Sequence, residues 1–475
     1  MNDEFVSFRD PAGSLFKHKN KIFRFINPSY QNEFEQTISC RSLTELISQG
    51  YISNFKKMQK NDLDLLLKDE TFLKIFEKIK SDIILEHKII DFVNYPYEWS
   101  SSMLFDSAAL TLLLFEKIID DNLGLKDATP YNTIFENAKP VFVDLLSFEK
   151  RDPQDPIWLA YSQFVKTYLL PLYVYKFAKI PVHKTFLSNP DGLEIDDCLP
   201  HTGFFRPIAY SLIRLPLFLS RFTKPQHYKS KRLINPNLSK FILLRLIKKT
   251  KKRLMSLKPK TTASSSWSKY MDTQKHYDKE DFLIKESFIS DVLISLKPKK
   301  VLDIGCNTGH FSLIAAKHGS KVISIDNDPI VIDKLYNLAK NENLNILPLV
   351  VSISKPTPFL GWKNSEYQSF LKRAENYSDL VFMLALIHHL QVTDRIPLLE
   401  IASIANLLTK DGLIIEYIDP QDPMFKKIVR GRENLHQDIS INNFKKTFEV
   451  FFNIIKEQKI NASRSIFFMR KKSEE

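Results

Sequence analysis

VLDIGCNTGHFS, residues 301–312, decides how the second half of this chain folds. Residues 300–304 have the composition of a short strand, and the glycines at 305 and 309 end it. Glycine lets a backbone turn sharply and lets a ligand come close to the main chain. The pattern of residues 311–317 predicts a helix behind the turn, whose first N–H groups have no partner within the helix. Asp303, beside the turn, is able to accept a hydrogen bond from a ligand amino group, directly or through water. A second strand, residues 321–325, runs into Asp326, 21 residues past Gly305. A carboxylate at that distance suits a ribose, because a diol offers two donors.

Outward from this stretch the same alternation continues. VISID, ILPLVV, DLVFML and LIIEYI are strand-like runs, each separated from the next by a helix-length stretch. That alternation predicts a doubly wound α/β sheet. The glycine turn reads D-x-G-x-N-x-G, not the G-x-G-x-x-G of a dinucleotide site. Its acidic residue would repel a pyrophosphate and suits a cationic ligand.

VLDIGCNTGHFS, VISIDNDP, SDLVFMLALIHHL and LIIEYIDPQDPMF, in this order and spacing, resemble the successive motifs of class I, Rossmann-like methyltransferases. The closing VFFNIIKEQKINASRSIFFMRKK looks like their final antiparallel hairpin. The resemblance covers about 200 residues, and S-adenosylmethionine is the cofactor it implies. It puts Asp303 and Gly305 at the methionine end and Asp326 on the ribose, with Cys306, Asn307, Gly309 and Asn327 in the same two loops. Asn307 stands where many members carry glycine; asparagine tolerates a left-handed backbone. After the third strand, many members carry an aspartate near the adenine. Here the chain reads VVSISKP, so Ser352 or Ser354 takes that place.

Methyl transfer to a hydroxyl needs the acceptor held in line and its proton removed. His388 and His389 in LIHHL fall at the carboxyl end of the fourth strand, where open α/β sheets bind ligands. Either is a candidate base; a capping role for one and a packing role for the other is the bland alternative. Glu416, Asp419 and Asp422 follow the fifth strand. They suit positioning a hydroxyl or a metal, or equally forming turns, since Asp-Pro pairs favour turns.

In the N-terminal half, LKDATPYNTIFENAKPVFVDLLSFE holds Asp127, Asn132 and Asp144. Phosphoryl transfer uses a carboxylate near the attacking hydroxyl, plus an amide oxygen and a second carboxylate for Mg²⁺. The D-x-x-x-x-N then D spacing resembles the catalytic and metal loops of protein-kinase-like folds, including small-molecule kinases. ATP and Mg²⁺ are the ligands that this resemblance implies. Upstream, IILEHKIIDFVNYPYEWSS looks like the strands and hinge joining two kinase lobes, and residues 104–119 read as the long helix before the loop. The chain departs from the kinase pattern: there is no Gly-rich loop, Leu125-Lys126 precedes Asp127, Leu-Leu follows Asp144, and Lys21 or Arg24 would stand in for the strand lysine. The alternative is a helical substrate domain in which Asp127 and Asn132 form a turn. The YPYEW and DAxxYN elements ahead of a methyltransferase domain resemble a set of bacterial predicted methyltransferases. Some polysaccharide-modifying enzymes also join a kinase to a methyltransferase, which favours a glycan or small polar acceptor.

Further local readings are a hairpin over 14–25, helices over 31–39, 43–49 and 63–79, a strand pair over 83–92, and a helix over 158–177 interrupted at Pro171. With 475 residues the chain exceeds one hydrophobic core. It divides by pattern into a mostly helical, kinase-like α+β domain (1–203), a basic segment and linker (204–271) and the α/β domain (272–475). The three cysteines, 40, 198 and 306, show neither a disulfide framework nor a metal-binding pair, so no metal site is expected and a reducing, cytoplasmic compartment is. The N-terminus lacks the apolar core of a signal peptide, and no run of 18 apolar residues occurs.

Net charge is +13, yet residues 206–260 hold sixteen Lys and Arg and no Asp or Glu, leaving the rest of the chain at −3. This basic stretch has three readings: an amphipathic helix on an anionic membrane, each cation contributing ~1 kcal/mol; a contact with RNA phosphates; or a solvated helix and linker between domains. No RNA-binding fold is recognisable, so nucleic acid is the lesser expectation. The whole reads as a methyltransferase acting on a polar acceptor. Alternatives are a cofactor-binding, pseudokinase-like scaffold, a bifunctional kinase-methyltransferase and an RNA methyltransferase.

Overall fold

The computed structural model describes residues 4–7, 9–202, 232–260, 265, 279–429, 431 and 439–473. Residues 206–231 of the basic segment, and most of the linker after residue 260, lie outside them. The chain separates into two compact units: residues 1–97 with 101–259, and residues 260–475 with Glu98–Ser100.

The first unit begins with a five-stranded sheet in the order β1 (Glu4–Ser7), β2 (Gly13–His18), β3 (Lys21–Ile26), β5 (Ile84–His87) and β4 (Phe55–Lys57), every pair antiparallel. The β2–β3 hairpin turns on Lys19 and Asn20, both at positive φ (43° and 62°), the geometry that two-residue hairpins favour. Phe16, Phe23, Phe25 and Ile84 bury one face of the sheet against Phe72. The expected helix over 63–79 is two helices, Lys60–Leu66 and Glu70–Ile79. Asp69 separates them because its side chain accepts the N–H groups of Thr71 and Phe72 and so starts the second. The expected strand pair over 83–92 is one strand, Ile84–His87; residues 88–92 form no second strand.

The apolar helix Ser101–Ile118 crosses the rest of this unit and is buried along most of its length. After it, β6 (Leu123–Leu125) pairs with β9 (Phe148–Lys150), and between them stands the hairpin β7 (Thr133–Glu136)–β8 (Lys139–Phe142). The 158–177 helix is not broken at Pro171. A π-helical turn, Val165–Leu169, precedes Leu170–Ala178, so the proline sits in the first turn of the latter, where its missing N–H costs little. The helix Pro236–Ser256 belongs to this unit as well and packs against Ser101–Ile118.

In the second unit seven strands run in the order β12 (Ile346–Val350), β11 (Lys321–Asp326), β10 (Lys300–Ile304), β13 (Ser378–Met383), β14 (Thr409–Ile418), β16 (Arg464–Lys471), β15 (Phe452–Asn461). The first five are parallel; β16 and β15 close the sheet antiparallel. This is the expected doubly wound sheet with its closing hairpin. The parallel strands are nearly continuous apolar runs because helices cover both faces. The chain passes from β10 outward to β12, then returns to β13 on the other side of β10. Ligands bind at such a reversal, outside the carboxyl ends of the strands. Among the described residues no helix is long and apolar enough to cross a membrane.

Candidate active site

At the reversal, the backbone N–H groups of Gly305 and Cys306 both donate to the carbonyl oxygen of Ile325 (2.8 and 3.1 Å), which bends the chain leaving β10 over the end of β11. Gly305, Asn307 and Gly309 all have positive φ (75°, 51° and 84°). Asparagine thus fills a left-handed position, as its sequence context suggested. At Gly309 a Cβ would stand 2.3 Å from Leu335 Cδ1, a side chain that is itself fully buried, so only glycine fits.

Asp326 is held at the lip of this turn by two backbone donors. Asn307 N–H donates to its Oδ2 and Asp328 N–H to its Oδ1, each at 2.9 Å. Each carboxylate oxygen keeps a lone pair for a diol hydroxyl. Burial raises the Asp326 pKa, and the backbone N–H bonds oppose that rise. Asn327 beside it is exposed. Val351 N–H donates to the Asp326 carbonyl (3.0 Å), which sets Ser352 next to this strand end, its hydroxyl 3.1 Å from that of Ser354.

Asp303 lies deeper, only 3% exposed. Its Oδ2 accepts from Ser312 (2.5 Å), whose hydroxyl accepts from Ser324 (2.8 Å). Burial pushes the Asp303 pKa up to about 6; the Ser312 bond opposes the rise and the Asp326 charge adds to it. A cationic group above this carboxylate would be favoured. Cys306 is buried and its thiol is pushed up by burial, so it offers its backbone and an apolar wall rather than a thiolate. The turn, the two carboxylates and the approach to the main chain fit a nucleoside carrying a cationic tail.

The other side of the site is the segment after β13. Leu386 rests on the glycine turn, 3.3 Å from where a Gly305 Cβ would be. Two residues on, the His388 and His389 rings lie against each other, with centroids 4.1 Å apart and planes tilted by 44°. His388 is buried, and its Nδ1 has no hydrogen-bond partner among the described residues. Its pKa is pushed down to about 3, by burial first and then by His389 and Arg464. His389 is half-buried and its pKa is lowered by burial. Both rings are therefore neutral near pH 7, and of the two only His389 is partly exposed.

The three carboxylates expected after the fifth strand are engaged otherwise, and Glu416 lies within β14 itself. Glu416, fully buried, takes Lys285 Nζ (2.6 Å) and Ala385 N–H (2.9 Å) on Oε2 and Arg464 (3.2 Å) on Oε1. Asp422 takes Arg464 on both oxygens (2.7 and 3.2 Å) and the N–H of Met424. Asp419 accepts from Gln421 N–H in a local turn. Two buried cations and two buried anions balance one another, as buried charges must. These carboxylates brace the floor of the site instead of facing an acceptor, and the turn-forming alternative holds for Asp419. Sequence reasoning missed Lys285, Ser312, Ser324 and Arg464. For Lys285 and Arg464 the one signal was a charged residue at inward positions of otherwise apolar elements, as in FLIKESFI and RSIFFM; nothing local marked Ser312 and Ser324.

In the first unit the sequence-selected trio is also brought together. Ser147 links two of its members: it accepts from Asn132 Nδ2 (2.9 Å) and donates to Asp144 Oδ2 (2.6 Å). Asp127 lies close enough for the Asp144 charge, after burial, to raise its pKa. Of the two cations considered for β3, Arg24 reaches the cluster, with Nη1 3.1 Å from Asp144 Oδ1, whereas Lys21 pairs with Glu86 (2.8 Å). Arg24 Nε also donates to His87 (3.2 Å), whose pKa is pushed down to about 3 by burial and then by that guanidinium. Among the described residues, no three His, Cys, Asp or Glu gather as metal ligands would.

Residues 277–446 match the family model described as a methyltransferase domain. Along nearly its whole length the chain is similar to the nodulation protein NoeA of Rhizobium meliloti (strain 1021), with 25% identity over 476 residues that span 98% of this chain and 96% of the relative. A stretch of 53 residues, 11% of this chain, is 45% identical to ubiquinone biosynthesis O-methyltransferase of Coxiella burnetii, of which it spans 23%. Among solved structures, the bifunctional kinase-methyltransferase WbdD aligns with 20% identity over 43% of this chain and 42% of its own, at a TM-score of 0.31.

Proposed function

We propose, from the premise that this chain is an S-adenosylmethionine-dependent methyltransferase, that its acceptor is a hydroxyl group of a polar molecule, a glycan or a small metabolite. The observation that carries this reading is the contact of Leu386 with the glycine turn, because it joins the nucleoside cradle to the segment bearing two neutral imidazoles. Gly305, Cys306 and Gly309 would shape the pocket, Asp326 would hold the ribose hydroxyls, Asp303 would face the cationic methionine end, and Ser352 would lie toward the adenine. The cofactor, when bound, supplies an electrophilic methyl group on a sulfonium. His389 accepts the hydroxyl proton, since it is neutral and partly exposed. His388, buried and tilted against it, would limit how far that ring turns.

This reading is tested by incubating the full chain with the cofactor and a panel of hydroxylated glycans and small molecules, and following S-adenosylhomocysteine release. With an accepted substrate, His389→Gln is expected to cut turnover by about 10²- to 10⁴-fold while leaving S-adenosylhomocysteine affinity unchanged. Equal turnover in that variant would sink the base assignment. Tight cofactor-product binding without release on any acceptor would instead favour the scaffold alternative.

A second reading concerns the first unit. The pairing of β6 with β9 around the loop that carries Asp127 and Asn132, with Asp144 ahead of β9, supports a kinase-like domain able to hold ATP. Arg24 already neutralises Asp144, so Mg²⁺ would have to displace that ion pair. Calorimetric titration of ATP, with and without Mg²⁺, separates a bifunctional enzyme from a scaffold: heat that requires Mg²⁺ supports phosphoryl transfer, and metal-independent binding supports a scaffold. Three free cysteines and a bacterial relative along the whole chain support a bacterial cytoplasm as the setting.

A further inference from the structure

The helix Pro236–Ser256 has two unlike faces. Ser239, Leu243, Ile247, Thr250 and Leu254 are buried and recur every three or four residues, which makes them one stripe. Ion pairs fasten that side within its own unit: Lys240 to Asp120 (2.7 Å) and Lys251 to Glu116 (2.5 Å). The opposite stripe is Leu238, Phe241, Arg245, Lys248, Lys252 and Met255, again at helical spacing and turned to solvent. Leu238, Phe241 and Met255 are 47, 58 and 59% exposed, and Ile234, just ahead of the helix, is 97% exposed. Arg245, Lys248, Lys249 and Lys252 make no ion pair among the described residues, and the sequence offers no acidic residue from 206 to 260.

A solvated surface helix accounts for the cations but not for three large apolar side chains on the same stripe, with exposed Ile234 just ahead of it. Single exposed apolar residues are ordinary; an aligned set is a contact surface. An RNA partner would use the cations and leave Leu238, Phe241 and Met255 in water. A bilayer interface uses both: apolar side chains enter the boundary between headgroups and acyl chains while Lys and Arg meet anionic headgroups. The buried inner stripe keeps the helix attached to its domain, so it would lie in the plane of the surface. We infer that the outward face of Pro236–Ser256 docks this protein on an anionic lipid surface, independently of which hydroxyl it methylates.

The test is flotation of the full chain with vesicles of phosphatidylcholine alone and of phosphatidylcholine with phosphatidylglycerol. Flotation only with the anionic vesicles, falling as salt rises, is the expected result. Lys248→Glu with Lys252→Glu is expected to weaken it by about tenfold or more, as the loss and reversal of two headgroup contacts requires. Phe241→Ser should weaken it at higher salt, where the apolar contribution remains. S-adenosylhomocysteine affinity serves as the folding control and should not change in any variant. Failure to float, equal flotation with neutral vesicles, wild-type flotation of the charge-reversed variant, or retention on RNA in place of vesicles would each overturn the inference.

Discussion

The two acidic sites of this molecule are built in opposite ways. In the second unit, Asp326 is held by the main-chain N–H groups of Asn307 and Asp328, from the two loops that flank it. In the first unit, Asp144 is held chiefly by other side chains: Arg24, 120 residues away, and Ser147, which in turn receives Asn132. A carboxylate held by backbone donors keeps its place whether or not a ligand is bound. A carboxylate held by a guanidinium is already paired and must exchange partners to do anything else. The first arrangement suits a standing ligand cradle; the second suits a structural tie, or a site that opens only when something displaces the arginine.

The largest effect that would sharpen this contrast is expected at Arg24→Ala. Arg24 is buried and Asp144 about a quarter exposed, so removing the cation strands a partly solvated carboxylate and empties packing space around His87. A loss of about 1–3 kcal/mol is expected. In thermal denaturation of the full chain, the transition that S-adenosylhomocysteine does not stabilise should move down while the other stays. Unchanged melting would mean the ion pair is a passive contact.

A smaller effect, in affinity instead of stability, is expected at Asp326→Ala. Loss of the carboxylate should weaken S-adenosylhomocysteine at least about tenfold, ~1.4 kcal/mol, by calorimetry, with little change in melting of the ligand-free protein. Equal affinity in the variant would break the comparison, because the best-held carboxylate would then have no ligand to hold.

The smallest effect is a proton. Burial raises Asp303 to about 6 in the folded, ligand-free protein. A raised acid favours the folded state below its unfolded pKa, and that contribution is lost as pH rises through about 6. A cationic ligand beside it would lower the pKa again. Binding of S-adenosylmethionine near pH 5.5 should therefore release protons, and affinity should rise as pH passes through about 6. Calorimetry in buffers of different ionisation heat measures this directly, and Asp303→Asn should abolish it. Proton uptake, or none, would place the cationic end of the ligand elsewhere.

The same contrast explains what was legible in the sequence. The glycine turn, the acidic residue 21 positions later and the strand alternation are all local, so VLDIGCNTGHFS and VISID suffice to place Gly305, Asn307, Gly309 and Asp326. The histidine pair was legible as a position at a strand end, but which ring is buried and which partly exposed was not, because burial is set by the packing of distant elements. Glu416 and Asp422 were in view as carboxylates, but their pairing with Lys285 and Arg464 in one buried set was not legible. In the first unit, the spacing of Asp127, Asn132 and Asp144 marked the right loop, and Arg24 was one of two cations in view; the choice between them needed the register of β3 against β5.

What the sequence by itself determined is therefore the set of features that arise locally or from a simple period: the α/β order of the second unit, its positive-φ turn, the carboxylate that ends its second strand, and the charge of the basic stretch. What only the tertiary structure decided is how charge is neutralised and which faces are left over. It paired Glu416 with two cations and gave Arg24 to Asp144. It also turned Leu243, Ile247 and Leu254 inward, so that Phe241, Arg245, Lys248 and Lys252 face out. The physical reason is range. A turn is set by the dihedral preferences of its own residues, whereas a buried charge is tolerable only beside a partner that the chain brings from far away.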